Sequence, residues 1–215
     1  LRLELFDRFT IKNCEILKRK NVKDWGMIVF STGRPDGVYT IENCTFKGVG
    51  TQGIYINEKN SSAVYHINDC TFNGNFGGEG AITISTHQGV NHTVNVERCE
   101  FNNVPADHRI FLTKSTAGLF YDFTLNTDLE ATTAYEFNVF VKLGLQNIRL
   151  ADGVYNAEYF YLKGKNINIS AVNPGNVTIN SFVHLNGGKY TFNGIKFTNT
   201  NAYKSNPEAA GEEIK

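Results

Sequence analysis

A few groups of side chains in this sequence have the types and spacing for chemistry. Asp107-His108-Arg109 places an acid, a base and a cation side by side, with His87, His92 and Glu100 near them in the chain. Such a set can take up a proton and steady the charge left behind, so it is the candidate catalytic cluster. Against that, successive strand residues face opposite ways, and Asp107 after Pro105 suits a turn. Glu42, Asn68 and Glu97 occupy equivalent positions of a repeat and are expected to stack as a carboxylate–amide–carboxylate ladder. Ca²⁺ takes about 6–8 oxygen ligands, so Glu42 and Glu97 are the candidate metal ligands, and Ca²⁺ is the one ion to test in a chain otherwise expected to need no cofactor. Their ordinary reading is a solvated strand face. Tyr159-Phe-Tyr161 sets two phenol rings on one face of a strand, a platform on which sugar rings stack. Lys18-Arg19-Lys20, with Lys23, is a short basic loop able to grip an anionic ligand, although most such loops are simply solvated. Cys14, Cys44, Cys70 and Cys99 show no Cys-x-x-Cys or Cys-x-x-His spacing, and they read as small buried hydrophobes.

A repeat must position these groups. Thr10-Ile-Lys-Asn-Cys14-Glu-Ile16, Thr40-Ile-Glu-Asn-Cys44-Thr-Phe46, His66-Ile-Asn-Asp-Cys70-Thr-Phe72 and Asn95-Val-Glu-Arg-Cys99-Glu-Phe101 share one pattern. Thr191-Phe-Asn-Gly-Ile195-Lys-Phe197 is a fifth copy with Ile in place of Cys. The cysteine spacings are 30, 26 and 29 residues. Inside each motif an apolar residue, a polar pair and two further apolar residues predict a strand, a bend and a strand. One repeat is then one coil of a solenoid, stacked on the next by parallel pairing about 4.8 Å apart, with a cysteine ladder beside a phenylalanine stack.

Composition agrees and excludes several function classes. Twenty-one basic residues balance twenty-one acidic ones, which argues against a nucleic-acid partner. No apolar run approaches the ~18 residues of a membrane span. The 20 glycines and 13% aromatic residues describe an all-β chain rich in turns. Asn-x-Ser/Thr triplets at Asn91 and Asn176 carry no weight, because asparagine has its own use at bends.

The organisation changes near residue 128. Residues 1–127 read as interior coils. In 128–215, Thr133-Ala-Tyr-Glu136 fits a capping box, Phe137, Phe140 and Val141 follow at helical spacing, and Gly144 ends the segment, so a helix is expected at about 133–144. Short strands are expected after it, at 147–155, Tyr159–Leu162, Asn166–Ser170, Val177–Ile179, Phe182–Leu185 and Tyr190–Phe197.

The run Ile148-Arg-Leu-Ala-Asp-Gly-Val-Tyr155, then Lys165-Asn-Ile-Asn-Ile-Ser-Ala171, then Gly194-Ile-Lys-Phe-Thr-Asn199 resembles the opening of right-handed parallel β-helix domains of the pectate-lyase-like superfamily. Phe72-Asn-Gly-Asn75 with Gly80-Ala-Ile82 is similar to repeats of bacterial surface adhesins. The resemblance implies an all-β, right-handed parallel β-helix with coils of about 26–30 residues and one short capping α-helix. It carries fold markers and no catalytic motif. Polygalacturonases carry Asn-Thr-Asp with a paired Asp and an Arg-Ile-Lys segment, and only Asn126-Thr127-Asp128 is present here. Gly153-Val-Tyr155-Asn-Ala-Glu158 misses a pectin-methylesterase motif by one residue.

The expected function is therefore an extracellular or cell-surface module for binding or display, directed to a polysaccharide or surface glycan, without catalysis of its own. A polysaccharide lyase is the alternative, and a structural or self-assembling fibre unit is a third. An interior-coil start and a cap in mid-chain leave three arrangements open: two β-helices, a permuted one, or an independent second solenoid. Gly194–Thr200 would hand over naturally to the strands at the N-terminus, so the ends are expected either to meet within one molecule or to pair between molecules as head-to-tail self-association.

Overall fold

The residue before each cysteine has left-handed backbone: φ is 56° at Asn13, 48° at Asn43, 54° at Asp69 and 52° at Arg98. Asn and Asp tolerate this conformation, and it turns the chain sharply between two strands. The computed structural model describes residues 1–4, 6–18, 26–32, 34–48, 50–76, 80–113, 123–163 and 166–198. The chain forms two compact units, Leu1–Leu129 and Glu130–Lys215.

In the first unit each coil carries three short strands. Coil one has β1 (Arg2–Glu4), β2 (Arg8–Lys12) and β3 (Glu15–Leu17). Coil two has β4 (Ile28–Thr32), β5 (Gly37–Glu42) and β6 (Thr45–Lys47), and coil three β7 (Ile54–Ile56), β8 (Ala63–Asn68) and β9 (Thr71–Asn73). Coil four has β10 (Ile82–Ser85), β11 (Thr93–Glu97) and β12 (Glu100–Asn102), and β13 (Ile110–Thr113) and β14 (Thr124–Thr127) begin another. Like strands pair in parallel into three sheets, ordered β1-β4-β7-β10-β13, β2-β5-β8-β11-β14 and β3-β6-β9-β12. This is the parallel β-solenoid that the repeat predicts.

Register puts like residues in columns. Ile11, Ile41, Ile67 and Val96 align, as do Ile28, Ile54, Ile82 and Ile110. Phe46, Phe72 and Phe101 stack with ring centroids 4.8 and 5.1 Å apart and planes 11° and 7° from parallel. Burying one such side chain contributes about 1.5–3 kcal/mol. The bends pair as well. The amides of Asn13, Asn43 and Asp69 donate to the carbonyls of Glu42, Asn68 and Glu97 on the next coil. Arg98 is the least suited of the four to left-handed backbone, and two hydrogen bonds to Asp69, of 2.7 and 2.8 Å, hold its side chain. Its amide donates to Asp128 Oδ2 at 2.9 Å, so a side chain stands where the next coil's carbonyl would be. That is the role of Asp128 in the Asn126-Thr127-Asp128 triplet, while Asn126 extends an amide ladder to Asn95 at 2.8 Å.

The cysteine column is made of free thiols. Cys14, Cys44, Cys70 and Cys99 each donate to the carbonyl two residues back, at 3.1, 3.3, 3.2 and 3.5 Å. Burial raises the pKa of Cys44; the hydrogen bond shared with Cys99, and then burial, raise that of Cys70. The thiolate is the reactive form, so these positions are protected twice. The hydrogen bond with Cys70 lowers the pKa of Cys99, so in a native thiol-labelling time course the half-buried Cys14 and Cys99 react first, and Cys44 and Cys70 react only after denaturant is added. Rapid labelling of all four in the native protein would contradict the column.

The second unit opens with β15 (Glu130–Ala131) and the helix α1 (Ala134–Lys142). Thr133 caps α1, its Oγ1 accepting from the Glu136 amide at 3.1 Å. The return half of the expected capping box is displaced by one residue: Glu136 Oε2 accepts from the amide and hydroxyl of Thr132, at 2.7 and 2.6 Å. At the other end Gly144 has φ 71°, with Leu145 N–H bonded to Phe140 O and Gly144 N–H to Val141 O, a Schellman closure. Phe137 packs edge-on to Tyr155 and tilted on Phe160, seating the helix over the inner face of the strands.

The remaining strands are β16 (Asn147–Leu150), β17 (Gly153–Lys163), β18 (Ile167–Ala171), β19 (Val177–Asn186), β20 (Tyr190–Asn193) and β21 (Ile195–Thr198). They form two parallel sheets, β15-β16-β18-β20 and β17-β19-β21. Two pairs of strands expected to be separate are continuous. The polar residues between Tyr155 and Tyr159 do not break β17, because a register shift between Asn156 and Tyr159 absorbs them. Asn180-Ser181 reads as a turn by residue type, yet Asn180 faces outward and Ser181 is buried, in step with the rest of β19. Buried Tyr155 lies 2.6 Å from Ala131 O and 2.8 Å from Ala151 O through its hydroxyl, and burial raises its pKa to about 12. Asp152 accepts from Asn173 and Asn176 at 3.1 and 2.9 Å, tying successive coils together. Among the described residues no helix is long and apolar enough to cross a membrane.

Candidate functional site

The length of β17 and β19 creates a broad outer face. Phe160, Leu162 and Val183 point inward and are buried, so Tyr159 and Tyr161 point outward, with 54% and 40% of their surface exposed. Register sets Tyr159 beside Phe182 and Tyr161 beside His184. Two rings along each strand, on two strands, make a platform roughly 7 Å by 5 Å by strand geometry. Tyr161 is held in place: its ring lies 4.8 Å from that of His184, and its hydroxyl accepts from Asn186 Nδ2 at 2.7 Å. Beside the rings runs a polar ladder, with Asn180 Nδ2 donating to Asn156 Oδ1 at 2.8 Å and Thr198 Oγ1 donating to Asn180 Oδ1 at 3.3 Å. Aromatic faces next to fixed amides and a hydroxyl offer both apolar stacking and directional hydrogen bonds.

The other candidates are more scattered. Glu42, Asn68 and Glu97 do align, with Lys12 one coil further along the ladder. Asn68 separates the two carboxylates by two strand spacings, about 10 Å. Glu42 pairs with Lys12 Nζ at 2.6 Å, and Glu97 with Arg98 Nη1 at 3.1 Å. Among the described residues no group of three or more His, Cys, Asp and Glu side chains is placed to hold a metal ion. Asp107 and His108 lie in a turn of 3-10 helix, Ala106–His108, and Arg109 closes it. The Asp107 side chain is outside the described residues, and His108 has its ring 6.4 Å from that of Phe111. His87 and His92 are drawn elsewhere, to Asn57 Oδ1 at 3.1 Å and to the Glu58 carbonyl at 3.3 Å. Lys18 follows β3, while Arg19, Lys20 and Lys23 lie outside the described residues.

Two features escape a reading of the sequence. A groove of about 570 Å³ lies over β1, β4 and β7, lined in part by Arg2, Val29, Ser31, Asn57 and Lys59. Its polar groups bind one another: Arg2 Nε donates to Ser31 at 3.1 Å, Ser31 donates to Glu4 at 3.2 Å, and Arg2 pairs with Glu4 at 2.7 Å. No signal in the chain pairs Ser31 with Glu4, because they lie 27 residues apart on neighbouring coils.

The second is a buried polar cluster of Glu58, Tyr65 and His92, all at most 1% exposed. His92 stands edge-on to Tyr65 at 5.4 Å. Glu58 Oε1 accepts from the Asn60 amide at 2.8 Å, while Glu58 Oε2, Tyr65 Oη and His92 Nδ1 have no hydrogen-bond partner among the described residues. Burial lowers the pKa of His92 below the ordinary 6.5, and burial followed by the Lys59 charge lowers that of His87. The unfolded chain therefore binds more protons than the folded one once pH falls below about 6.5, and stability declines from there downward. Asp69, held below its usual range by Arg98, loses its contribution only in stronger acid. The melting temperature is expected to fall between pH 7 and pH 5, and His92→Phe to flatten that fall. A wild-type profile flat across that interval would contradict the neutral buried imidazole.

Compared with protein-family models, curated proteins and solved structures, the chain matches none of them, so the solenoid and its surfaces are the grounds for a functional reading.

Proposed function

We propose that this chain is a glycan-binding or display module of the extracellular space or cell surface, with no bond-breaking chemistry of its own. The observation that carries the reading is the outward pair Tyr159 and Tyr161, ranked beside Phe182 and His184 on two long parallel strands. A sugar presents an apolar C–H face and a rim of hydroxyls. The rings suit the first, and the Asn156–Asn180–Thr198 ladder with Asn186 suits the second. Exposed rings fixed by their neighbours lose little freedom on binding, which favours affinity. Long parallel strands suit an extended polysaccharide, and such polymers are met outside the cell.

A pectate-lyase-like enzyme would need a cation site and a base facing one uronate residue. The decisive screen incubates the chain with pectate, alginate and glycosaminoglycans, with and without Ca²⁺, following both retention on the polymer and ultraviolet absorbance of unsaturated uronate. Retention with flat absorbance is the expected result. A Ca²⁺-dependent absorbance rise, lost in Glu42→Gln and Glu97→Gln, would replace binding by eliminative cleavage.

A further inference from the structure

The outer face of β17 and β19 has an order along its strands. The outward residues of β19 run Asn180, Phe182, His184, Asn186: an amide, two rings and an amide. β17 repeats the order in register beside them, with Asn156, Tyr159 and Tyr161. From Asn180 to Asn186 the strand covers roughly 20 Å, and the two rows of rings, Tyr159–Phe182 and Tyr161–His184, lie about 7 Å apart along it. Across the strands each of these rows holds two rings, on strands about 5 Å apart.

The amides at the two ends are held and still have capacity to bind. Asn156 Oδ1 accepts from Asn180 Nδ2 at 2.8 Å, which leaves Asn156 Nδ2 for another acceptor. Asn186 Nδ2 donates to the Tyr161 hydroxyl at 2.7 Å, which leaves Asn186 Oδ1 for another donor. Both rows of rings stand on one side of one sheet. A ligand that stacks on both must therefore present two successive apolar faces to the same side. In a chain of sugar rings the linkage decides this. Equatorial bonds at both ends of each ring keep the rings in a flat ribbon, with C–H faces on its broad sides and hydroxyls on its rims. Axial bonds at both ends turn each ring edgewise to the chain, and the faces no longer share a plane.

Resting on the glycan-binding reading of this face, we infer that its ligand is a linear polysaccharide with equatorial linkages, lying lengthwise along β17 and β19. Successive sugars stack on the Tyr159–Phe182 row and then on the Tyr161–His184 row. The ribbon's rims beyond them reach Asn156 at one end and Asn186 at the other. A chain laid across the strands would meet only one row of rings. Linkage and shape, rather than charge, define the class.

Matched oligosaccharides test it, titrated against the full chain in a chelating buffer. Mannuronate and guluronate oligomers of equal length are epimers, linked diequatorially and diaxially. Cello- and malto-oligosaccharides are anomers, equatorial and axial at the glycosidic carbon. Each pair is equal in composition and charge, so Glu158, exposed in the bulge beside Tyr159, acts alike on both members. In at least one pair the equatorial member is expected to bind at least about tenfold more tightly than its axial twin. The Tyr159→Ala, Tyr161→Ala double variant is expected to lose that difference. Asn156→Ala is expected to weaken the equatorial member about threefold, with the circular dichroism of the wild type because Asn156 is exposed. An axial member bound as tightly as its twin, through the same two tyrosines, would overturn the linkage class and keep the glycan reading. Affinity indifferent to Asn156→Ala would overturn the lengthwise course. Absence of binding in both pairs would overturn the inference, and the glycan reading falls with it only if the polysaccharide screen is blank as well.

Discussion

Phe72→Asp yields an insoluble chain, and Phe72→Ala lowers the unfolding free energy by about 3–5 kcal/mol. Phe72 has no exposed surface and lies between the parallel rings of Phe46 and Phe101, with Phe76 edge-on at 6.0 Å. Truncation to Ala removes the middle of that stack, and the coils on either side are pinned by ladder hydrogen bonds and cannot close the gap. A domain with about 5–15 kcal/mol of stability has little left after such a loss. The Asp substitution adds an unpaired buried charge, which is worse. Ile41→Asp and Ile67→Asp, in the neighbouring column, should behave as Phe72→Asp does. Soluble, cooperatively melting Asp variants at all three positions would refute the coil register.

Tyr159→Ala and Tyr161→Ala are expected to weaken glycan binding about tenfold each, and the double substitution about a hundredfold, at unchanged melting temperature. Both rings stand on the outer face, so truncation opens no internal cavity. Asn186→Ala removes the donor that fixes the Tyr161 hydroxyl and should give a smaller loss. Glu42→Gln and Glu97→Gln should leave binding intact, since both carboxylates lie in the first unit and are held by Lys12 and Arg98. Equilibrium titration of each variant against one polysaccharide identified by the screen is the check. Equal affinity for wild type and the double variant would remove the platform from the account.

Much of the fold was legible because a solenoid repeats its physics. The Cys-containing motifs carry their own register: a left-handed Asn or Asp in three coils, one inward Cys per coil and one inward Phe in every coil but the first, which has Ile16, define the bend and two columns. The fourth bend is less obvious, since Arg98 is an unusual left-handed residue whose support comes from Asp69 on the previous coil. Helix α1 was legible from its caps, although Glu136 reaches Thr132 where the box motif points to Thr133. Strand lengths in the second unit were not legible. Asn156–Glu158 and Asn180-Ser181 have turn-like composition, and only pairing in register keeps them extended.

The candidate site divides in the same way. The common face of Tyr159 and Tyr161 follows from period-two alternation alone. Their partners Phe182, His184 and Asn186 come from a strand 23–25 residues later, and no local pattern announces them. The Glu42–Asn68–Glu97 ladder was legible from the repeat, but the pairing of Glu42 with Lys12 one coil earlier and of Glu97 with its chain neighbour Arg98 is set by side-chain conformation, which residue type alone does not give. The buried Glu58–Tyr65–His92 cluster was illegible for a related reason. Glu58 and His92 sit in connecting segments, where residue type does not reveal an inward side chain.

Affinity electrophoresis through gels cast with individual polysaccharides tests the central claim most directly. The account predicts that at least one extended polysaccharide retards the wild-type chain, that the Tyr159→Ala, Tyr161→Ala double variant escapes retardation while melting at the wild-type temperature, and that no unsaturated product forms. Identical migration of wild type and double variant in every gel would contradict it.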